Sequence, residues 1–446
     1  MKEGIFMPEK KGNIDLQRSL GLYSALSLVI GTIIGSGIFF KQASILSNAH
    51  STTNAIWAWI IGGIITLTGG LTIAEVGSMY PETGGLYVYI EKMYGKFWGF
   101  LAGWVQIAVY GPSLIASLGA YLAILLVAFF GLPQTWIVPI AILSLFLISV
   151  FNLLSNRFGA SLQIFTTICK MVPIFLIIIF GLLFGNEHAF GQVIQGATTS
   201  SIGGFGMAVL ATLFAYDGWI LIANLGGEIK NPQKILPVAI ILGTSIVLII
   251  YVLLTMGIFS AMPANQITKL GEQAAPHFAI MMFGPIGGKI LNLGIIISII
   301  GTINGKIMSF PRIMFAMAKE NELPFSKQLS WIHPKMHSPM VATFTMFVFS
   351  SLLVLFADAD RLSEICIFSI YCFYLIAFIG VFKLRRLYPD INRPFKTPLY
   401  PLTPIIAVLG AIFVMVSEIQ ADLSGVIISL LFVLIGAPIY FYKIKK

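Results

Sequence analysis

The sequence predicts an all-α polytopic membrane protein with twelve transmembrane helices. Three observations carry this reading. Of 446 residues, 57% are hydrophobic and only 10% are charged, where soluble domains average about 45–50% and about 25%. The apolar residues run in continuous stretches, long enough for the roughly 20 residues that a bilayer-crossing helix needs. They do not alternate over ~10 residues as barrel strands do. A soluble fold of this composition would expose apolar surface over most of its area. A soluble enzyme, a nucleic-acid-binding domain and a disordered chain are thereby excluded.

The spans fall at about 21–46, 55–80, 98–130, 136–153, 159–185, 204–229, 235–262, 286–316, 340–357, 362–383, 401–420 and 424–442. Residues 1–20 are polar and charged, and the apolar run after them is long enough to span and stay, so no cleavable signal peptide is expected. Gly and Pro are frequent inside the spans, as lipid-buried helices tolerate. Cys169, Cys366 and Cys372 all lie in apolar runs and form neither a disulfide framework nor a metal pattern.

The net charge of +9 has a topological explanation. Twenty-one Lys and Arg fall on the side of the N-terminus, counting Arg312 with the loop after span 8; Lys41, Lys269, Lys289 and Arg361 fall on the other. The excess predicts that both ends are cytoplasmic, with tails at 1–20 and 443–446. No nucleic-acid partner is needed to explain the charge, and no cofactor or metal is expected.

Span 1 places Gly31, Gly35, Ser36 and Gly37 near its middle. Gly31 and Gly35 alone suit close helix packing. Consecutive small residues point around the helix, so Gly35-Ser36-Gly37 reads better as an unwound hinge. Span 6 carries Phe214, Ala215, Asp217 and Gly218 about twelve residues in. An ionisable residue at that depth marks function by default. An Asp capping a half-helix would also imply a broken helix. Spans 1 and 6 are five apart, so repeats over 21–185 and 204–383 would have opposite orientations, with spans 11 and 12 (401–442) added. That is an inverted-repeat transporter plan, with discontinuous helices meeting near the midplane. Free N–H groups attract a carboxylate and free carbonyls an ammonium. The pair fits the common head of an α-amino acid.

Four stretches make the chain recognisable: Gly31 to Phe39, Ala74 to Tyr87, Phe214 to Pro232, and Asn304 to Pro324. From about Leu20 to Tyr442 it resembles the amino acid–polyamine–organocation (APC) superfamily. Within it the chain is most similar to the L-amino acid transporter branch and its bacterial serine/threonine exchangers. The resemblance implies the leucine-transporter (LeuT) fold, a 5+5 inverted repeat with two C-terminal helices. It further implies that Ser36 and Gly37 amides meet the substrate carboxylate, and that carbonyls of Ile33, Phe214 and Asp217 meet its ammonium. Gly35 and Ala215 complete the binding set, and Phe214 matches the family's aromatic gate.

Lys170 lies inside span 5, beyond snorkelling reach of a loop, and must be paired or deprotonated. A structural lysine bonded to carbonyls is one reading. The resemblance implies another, an ammonium that replaces the sodium bridging spans 1 and 8 in sodium-coupled relatives. Proton coupling is a third. Lys306, in span 8, has Asp217, Glu75 or the cytoplasm as outlets, and a gate or structural role is favoured. Glu75, Glu228 and Arg312 read as gate or packing pairs.

Side-chain selectivity must come from residues such as Phe214, Ile220 and Asn224 in span 6 and Thr302 in span 8. No acid beyond Asp217 presents itself for a cationic side chain, and the Asp217 side chain is expected to point away. Small neutral L-amino acids are the expected substrates, carried by sodium-independent exchange, with proton symport as the alternative. The five histidines are scattered over loops, which argues against a membrane enzyme. Animal relatives join a heavy subunit through a cysteine after span 3. Residues 131–136 have none, so no disulfide-linked heavy subunit is expected. The expected location is a bacterial-type plasma membrane.

Overall fold

A computed structural model describes residues 16, 18–154, 156–194, 202–334, 336–356 and 359–444. The expected tail at 1–20 lies almost wholly outside the described residues, as do Lys445 and Lys446. Among the described residues the chain is α-helical, with a π turn, short 3-10 turns and isolated β-bridges. Among the described residues, eleven helices are long and apolar enough to cross a membrane, and the shorter Met340–Phe356 is also apolar. Its seventeen residues sit at the lower end of the crossing range of about 17–25.

Span 1 is divided. α1 (Leu22–Ile33) stops where Ile34 turns extended, at φ −73° and ψ 98°. The chain resumes as α2 (Gly37–Phe40) and, past Lys41, α3 (Gln42–Ala49). α4 (Thr52–Met79) starts at Ser51, whose side chain accepts from the Asn54 amide at 3.2 Å. An extra helix, α5 (Leu86–Tyr94), precedes span 3 and ends at Gly95. Span 3 comprises α6 (Lys96–Val105), a π turn (Gln106–Tyr110) and α7 (Gly111–Phe130). Pro112 at the start of α7 has no N–H to continue the α ladder, and the wider turn precedes it. α8 (Ile137–Leu154) and α9 (Asn156–Phe184) complete the first five spans.

Span 6 is broken as well. α10 (Ile202–Tyr216) ends before Gly218, which has φ 118°, and short 3-10 turns (Leu221–Asn224, Gly226–Glu228) follow. α11 (Pro232–Ala261) is span 7, and α12 (Ala264–Leu270) lies after it. α13 (Ala274–Lys319) joins a short helix to span 8 across a kink at Gly284, immediately before Pro285. α14 (Ser326–Leu329), α15 (Met340–Phe356), α16 (Ala359–Leu387), α17 (Leu402–Ala421) and α18 (Leu423–Ile444) close the chain.

The broken helices occupy the middle. Span 6 is 78% buried over its apolar window, whereas α18 is 22% buried. Small residues let the two breaks interlock. A Cβ on Gly37 would lie 2.7 Å from the Ala215 Cα, and one on Gly218 would lie 2.8 Å from the Thr32 carbonyl oxygen. Each break thus receives the other's backbone.

Candidate functional site

The Ile34-Gly35-Ser36 break leaves polar backbone in the centre of the bundle. Among the described residues no backbone carbonyl accepts from the amides of Gly35, Ser36 or Gly37. The Ser36 hydroxyl is buried and has no hydrogen-bond partner. On the other side of the break, the Ile33 carbonyl accepts from the Tyr251 hydroxyl at 3.0 Å. That hydroxyl lies equally close, 3.0 Å, to the Ala215 carbonyl. Tyr251 of α11 therefore ties the two breaks together through one proton. The Phe214 carbonyl accepts from the Asp217 amide at 3.3 Å. A carbonyl oxygen has two lone pairs, so Ile33 and Phe214 each keep capacity for a further donor.

The Asp217 side chain, expected to point away because its backbone was the expected ligand, is engaged inside the bundle. Its carboxylate receives the Tyr110 hydroxyl at 2.5 Å and pairs with the Lys306 ammonium at 3.2 Å. Both charged side chains are 3% exposed. The turn that follows α10 at Asp217 leaves the carboxylate facing spans 3 and 8, and the π turn of span 3 carries Tyr110 to meet it. Of the outlets open to Lys306, Asp217 is the one taken. Glu75 instead binds Arg385 through two hydrogen bonds of 2.9 and 2.6 Å and accepts from the Thr397 amide.

A central cavity of about 10 Å³ lies between the breaks. It is lined by Ile33, Gly35, Ser36, Gly37, Phe214, Ala215, Asp217, Thr302 and Lys306 of the expected set. Thr32 and, from span 3, Leu114 and Leu118 complete the lining. Ile220 and Asn224 do not line it. Past Gly218 the 3-10 turns rotate the chain, and the Asn224 side chain donates to the Ser309 hydroxyl at 3.0 Å instead. A second cavity of about 50 Å³, walled in part by Lys41 and Glu418, shares one lining residue with the central one, Phe214. A larger cavity of about 540 Å³ opens at the other end, lined in part by Arg18, Tyr87, Glu91 and Lys319.

Lys170 is fully buried. Its ammonium donates to the Gly31 and Ile34 carbonyls at 2.9 and 2.5 Å and reaches the Thr302 hydroxyl at 3.3 Å. Thr302 in turn lies 2.8 Å from the Ile34 carbonyl. One ammonium thus links the span 1 break to span 8. All three partners are neutral oxygens.

The end of the bundle nearest Leu20 is held by charge pairs. Arg312 donates to Glu228 at 2.9 Å, both fully buried. The Glu228 carbonyl accepts the Ser19 and Leu20 amides at 2.9 Å, which fastens the start of span 1 to the end of span 6. Beyond the spans, burial pushes the Glu322 carboxyl up to about 7, and the Glu91 and Glu320 charges add to this. Tyr87 and Lys96 partly offset it.

Tyr110, Tyr251, Leu114 and Leu118 were absent from the sequence reading. A tyrosine on an apolar helix carries no signal of its own; only the facing carbonyls and carboxylate reveal it.

The amino acid permease family matches residues 20–440. The serine/threonine exchanger SteT of Bacillus subtilis (strain 168) is 46% identical over 97% of this chain and 98% of its own length. The mouse b(0,+)-type amino acid transporter 1 is 30% identical over 96% of this chain and 88% of its own. The human cystine/glutamate transporter is 29% identical over 97% and 87%.

Proposed function

We propose, for a chain that belongs to the amino acid permease family, that it exchanges small neutral L-amino acids such as serine and threonine without sodium. The relative at 46% identity is named a serine/threonine exchanger, which supports the substrate class. The single observation that carries sodium independence is the Lys170 ammonium on the Gly31 and Ile34 carbonyls and Thr302. It holds the span 1 break against span 8 with a fixed positive charge, where a bound cation would otherwise be needed.

In this reading the substrate carboxylate meets the amides of Ser36 and Gly37 and the Ser36 hydroxyl. The ammonium meets spare lone pairs of the Ile33, Phe214 and Asp217 carbonyls. The Lys306–Asp217 pair neutralises its own charges, so neither is left over for a cationic or anionic side chain. Leu114, Leu118 and Thr302 then favour a short neutral side chain. Phe214 shuts the outer side, and the Arg312–Glu228 pair shuts the inner one. Alternating access follows when the two closures open in turn around the breaks. Residues 21–185 and 204–383 act as the inverted repeats, with both ends cytoplasmic in a bacterial-type plasma membrane. The loop at 131–136 has no cysteine, in keeping with action without a disulfide-linked heavy subunit.

A second reading is favoured by one observation: among the described residues, Lys170 has no carboxylate as a hydrogen-bond partner. A buried amine of this kind can release a proton, which would make the protein a proton symporter.

Competition tests the substrate class. Proteoliposomes loaded with L-serine should take up labelled L-serine, and external L-threonine or L-alanine should inhibit. L-arginine and L-glutamate should not. Equal inhibition by arginine would contradict the neutral-substrate reading.

A further inference from the structure

An apolar groove of about 470 Å³ runs between spans 3, 8, 9 and 12, with walls that include Trp104, Ile107, Met314, Phe325, Phe349 and Ile439. Its lining residues carry no charge. Two of its polar groups are already used: the Thr345 hydroxyl donates to the Val341 carbonyl at 2.8 Å, and the Trp104 indole donates to the Phe432 carbonyl at 3.0 Å. Water would find few partners there. The groove faces outward. Phe325 is 75% exposed, and α18, one of its walls, is the least buried of the eleven long apolar helices. At one end the apolar walls give way to positive charge. Lys443 lies one turn beyond Ile439 on the same face of α18. Lys327 adjoins the lining residue Gln328 and is exposed. Lys96 stands nearby, where α6 meets α18 through Phe97 and Tyr440, but it is drawn in part to Glu322. Trp98 and Trp331 are exposed at the same end, as tryptophans are where a bilayer meets water.

We propose that this groove seats an acyl tail of an anionic phospholipid, with the phosphate held at the rim by Lys327 and Lys443. A lining without charge accepts a hydrocarbon chain and gives a polar ligand nothing to hold. The volume lies within the roughly 300–1,000 Å³ of small-molecule sites. Two ammonium groups at headgroup level supply the attraction that singles out an anionic lipid from a zwitterionic one. A second copy of this chain fits less well, because a two-fold pairing across this face would bring two more ammonium groups to the same rim. The site is independent of the mode of transport, yet it touches the machinery. Ile107 belongs to the π turn, three residues before the Tyr110 that binds Asp217. Met314 follows Arg312 by two residues in span 8. A seated tail therefore packs against the back of the π turn and fills the space into which it could relax.

Trp104 in the groove wall provides the probe. The full chain is reconstituted in phosphatidylcholine vesicles containing increasing fractions of phosphatidylglycerol or phosphatidylcholine with brominated tails, which quench tryptophan on contact. The Trp104 emission is obtained as the difference between wild type and Trp104→Phe. The lipid site predicts half-quenching at a mole fraction about fivefold or more lower for brominated phosphatidylglycerol than for brominated phosphatidylcholine, the worth of about one lysine near the surface. In the double variant Lys327→Gln/Lys443→Gln the ratio should fall to about one. Thr345→Phe, which fills the groove from α15, should at least halve the maximal quenching by either lipid. Equal half-quenching by the two lipids in wild type, or a preference that survives loss of both lysines, would overturn the headgroup assignment and with it the proposal. Undiminished quenching in Thr345→Phe would place the tail outside the groove. Absence of quenching by both lipids would mean that a cover other than lipid, such as a second copy, occupies the face. If Thr345→Phe fails to insert, the lysine variant, altered only at the rim, decides.

Discussion

Lys306 and Asp217 form an ion pair of 3.2 Å across spans 8 and 6, each side chain 3% exposed, on the wall of the central cavity. Tyr110 of span 3 adds a 2.5 Å hydrogen bond to the same carboxylate. Three spans thus meet at one carboxylate on the wall of the central cavity.

The pair predicts unequal costs. Asp217→Asn leaves a buried ammonium without a counter-charge, a loss of about 3–5 kcal/mol. Tyr110→Phe removes one hydrogen bond to a charged group, about 1.5–3 kcal/mol. Melting of the purified protein should therefore fall further for Asp217→Asn than for Tyr110→Phe. In the double variant the effects should be less than additive, because the two share the carboxylate. Additive losses would show that Tyr110 acts elsewhere.

Lys170→Ala removes the link between the span 1 break and span 8. Membrane insertion should persist, since the change makes span 5 more apolar. Exchange should drop by more than about tenfold, as expected from loss of charge-assisted bonds to two carbonyls. Full activity in Lys170→Ala vesicles would remove the cation-surrogate role.

The interlocked breaks give a steric prediction. Gly37→Ala puts a methyl group 2.8 Å from the Ala215 Cβ and 2.7 Å from its Cα. Overpacking of this kind costs about 1–3 kcal/mol, and here it moves the amides proposed to meet the substrate carboxylate. L-serine exchange should fall by about tenfold or more. Ala215→Gly in the same chain removes one of the two clashing atoms and should restore part of the activity. No recovery would mean that the Gly37 backbone conformation, not its neighbour, sets the requirement.

Glu322 gives a pH dependence. Its carboxyl is raised from 4.5 to about 7 in the folded protein, chiefly by burial. The folded state therefore binds more protons than the unfolded state between those values, and stability is lost as pH rises through about 7. Melting temperature should decline from pH 5 to pH 8 in wild type and decline less in Glu322→Gln. Parallel profiles would place the titrating group elsewhere.

The fold class was legible because lipid imposes long apolar runs, and the breaks were legible because Gly35-Ser36-Gly37 and Asp217-Gly218 interrupt them. The position of Lys170 was legible too, since an ammonium deep in a span must find oxygen atoms. Which oxygens it finds depends on the rotation of α1 against α9 and α13, which no residue type announces. The partners of the Asp217 side chain were not legible for a similar reason. The sequence shows that Gly218 breaks the helix but not the turn that the chain takes there. Tyr110 reaches Asp217 only because a π turn shifts its register. α5 falls between the expected spans because a nine-residue helix leaves no long apolar run. Ile220 and Asn224 were expected on the pocket as residues of span 6, but the 3-10 turns after Gly218 carry them off its wall.

The central claim is obligatory exchange without sodium. Its most direct test is uptake of labelled L-serine into sodium-free proteoliposomes at equal pH on both faces, half preloaded with unlabelled neutral amino acids and half empty. The Lys170 geometry and the exchanger reading predict uptake into the loaded vesicles only. Uptake into empty vesicles that grows with an inward proton gradient would contradict exchange and make the protein a symporter.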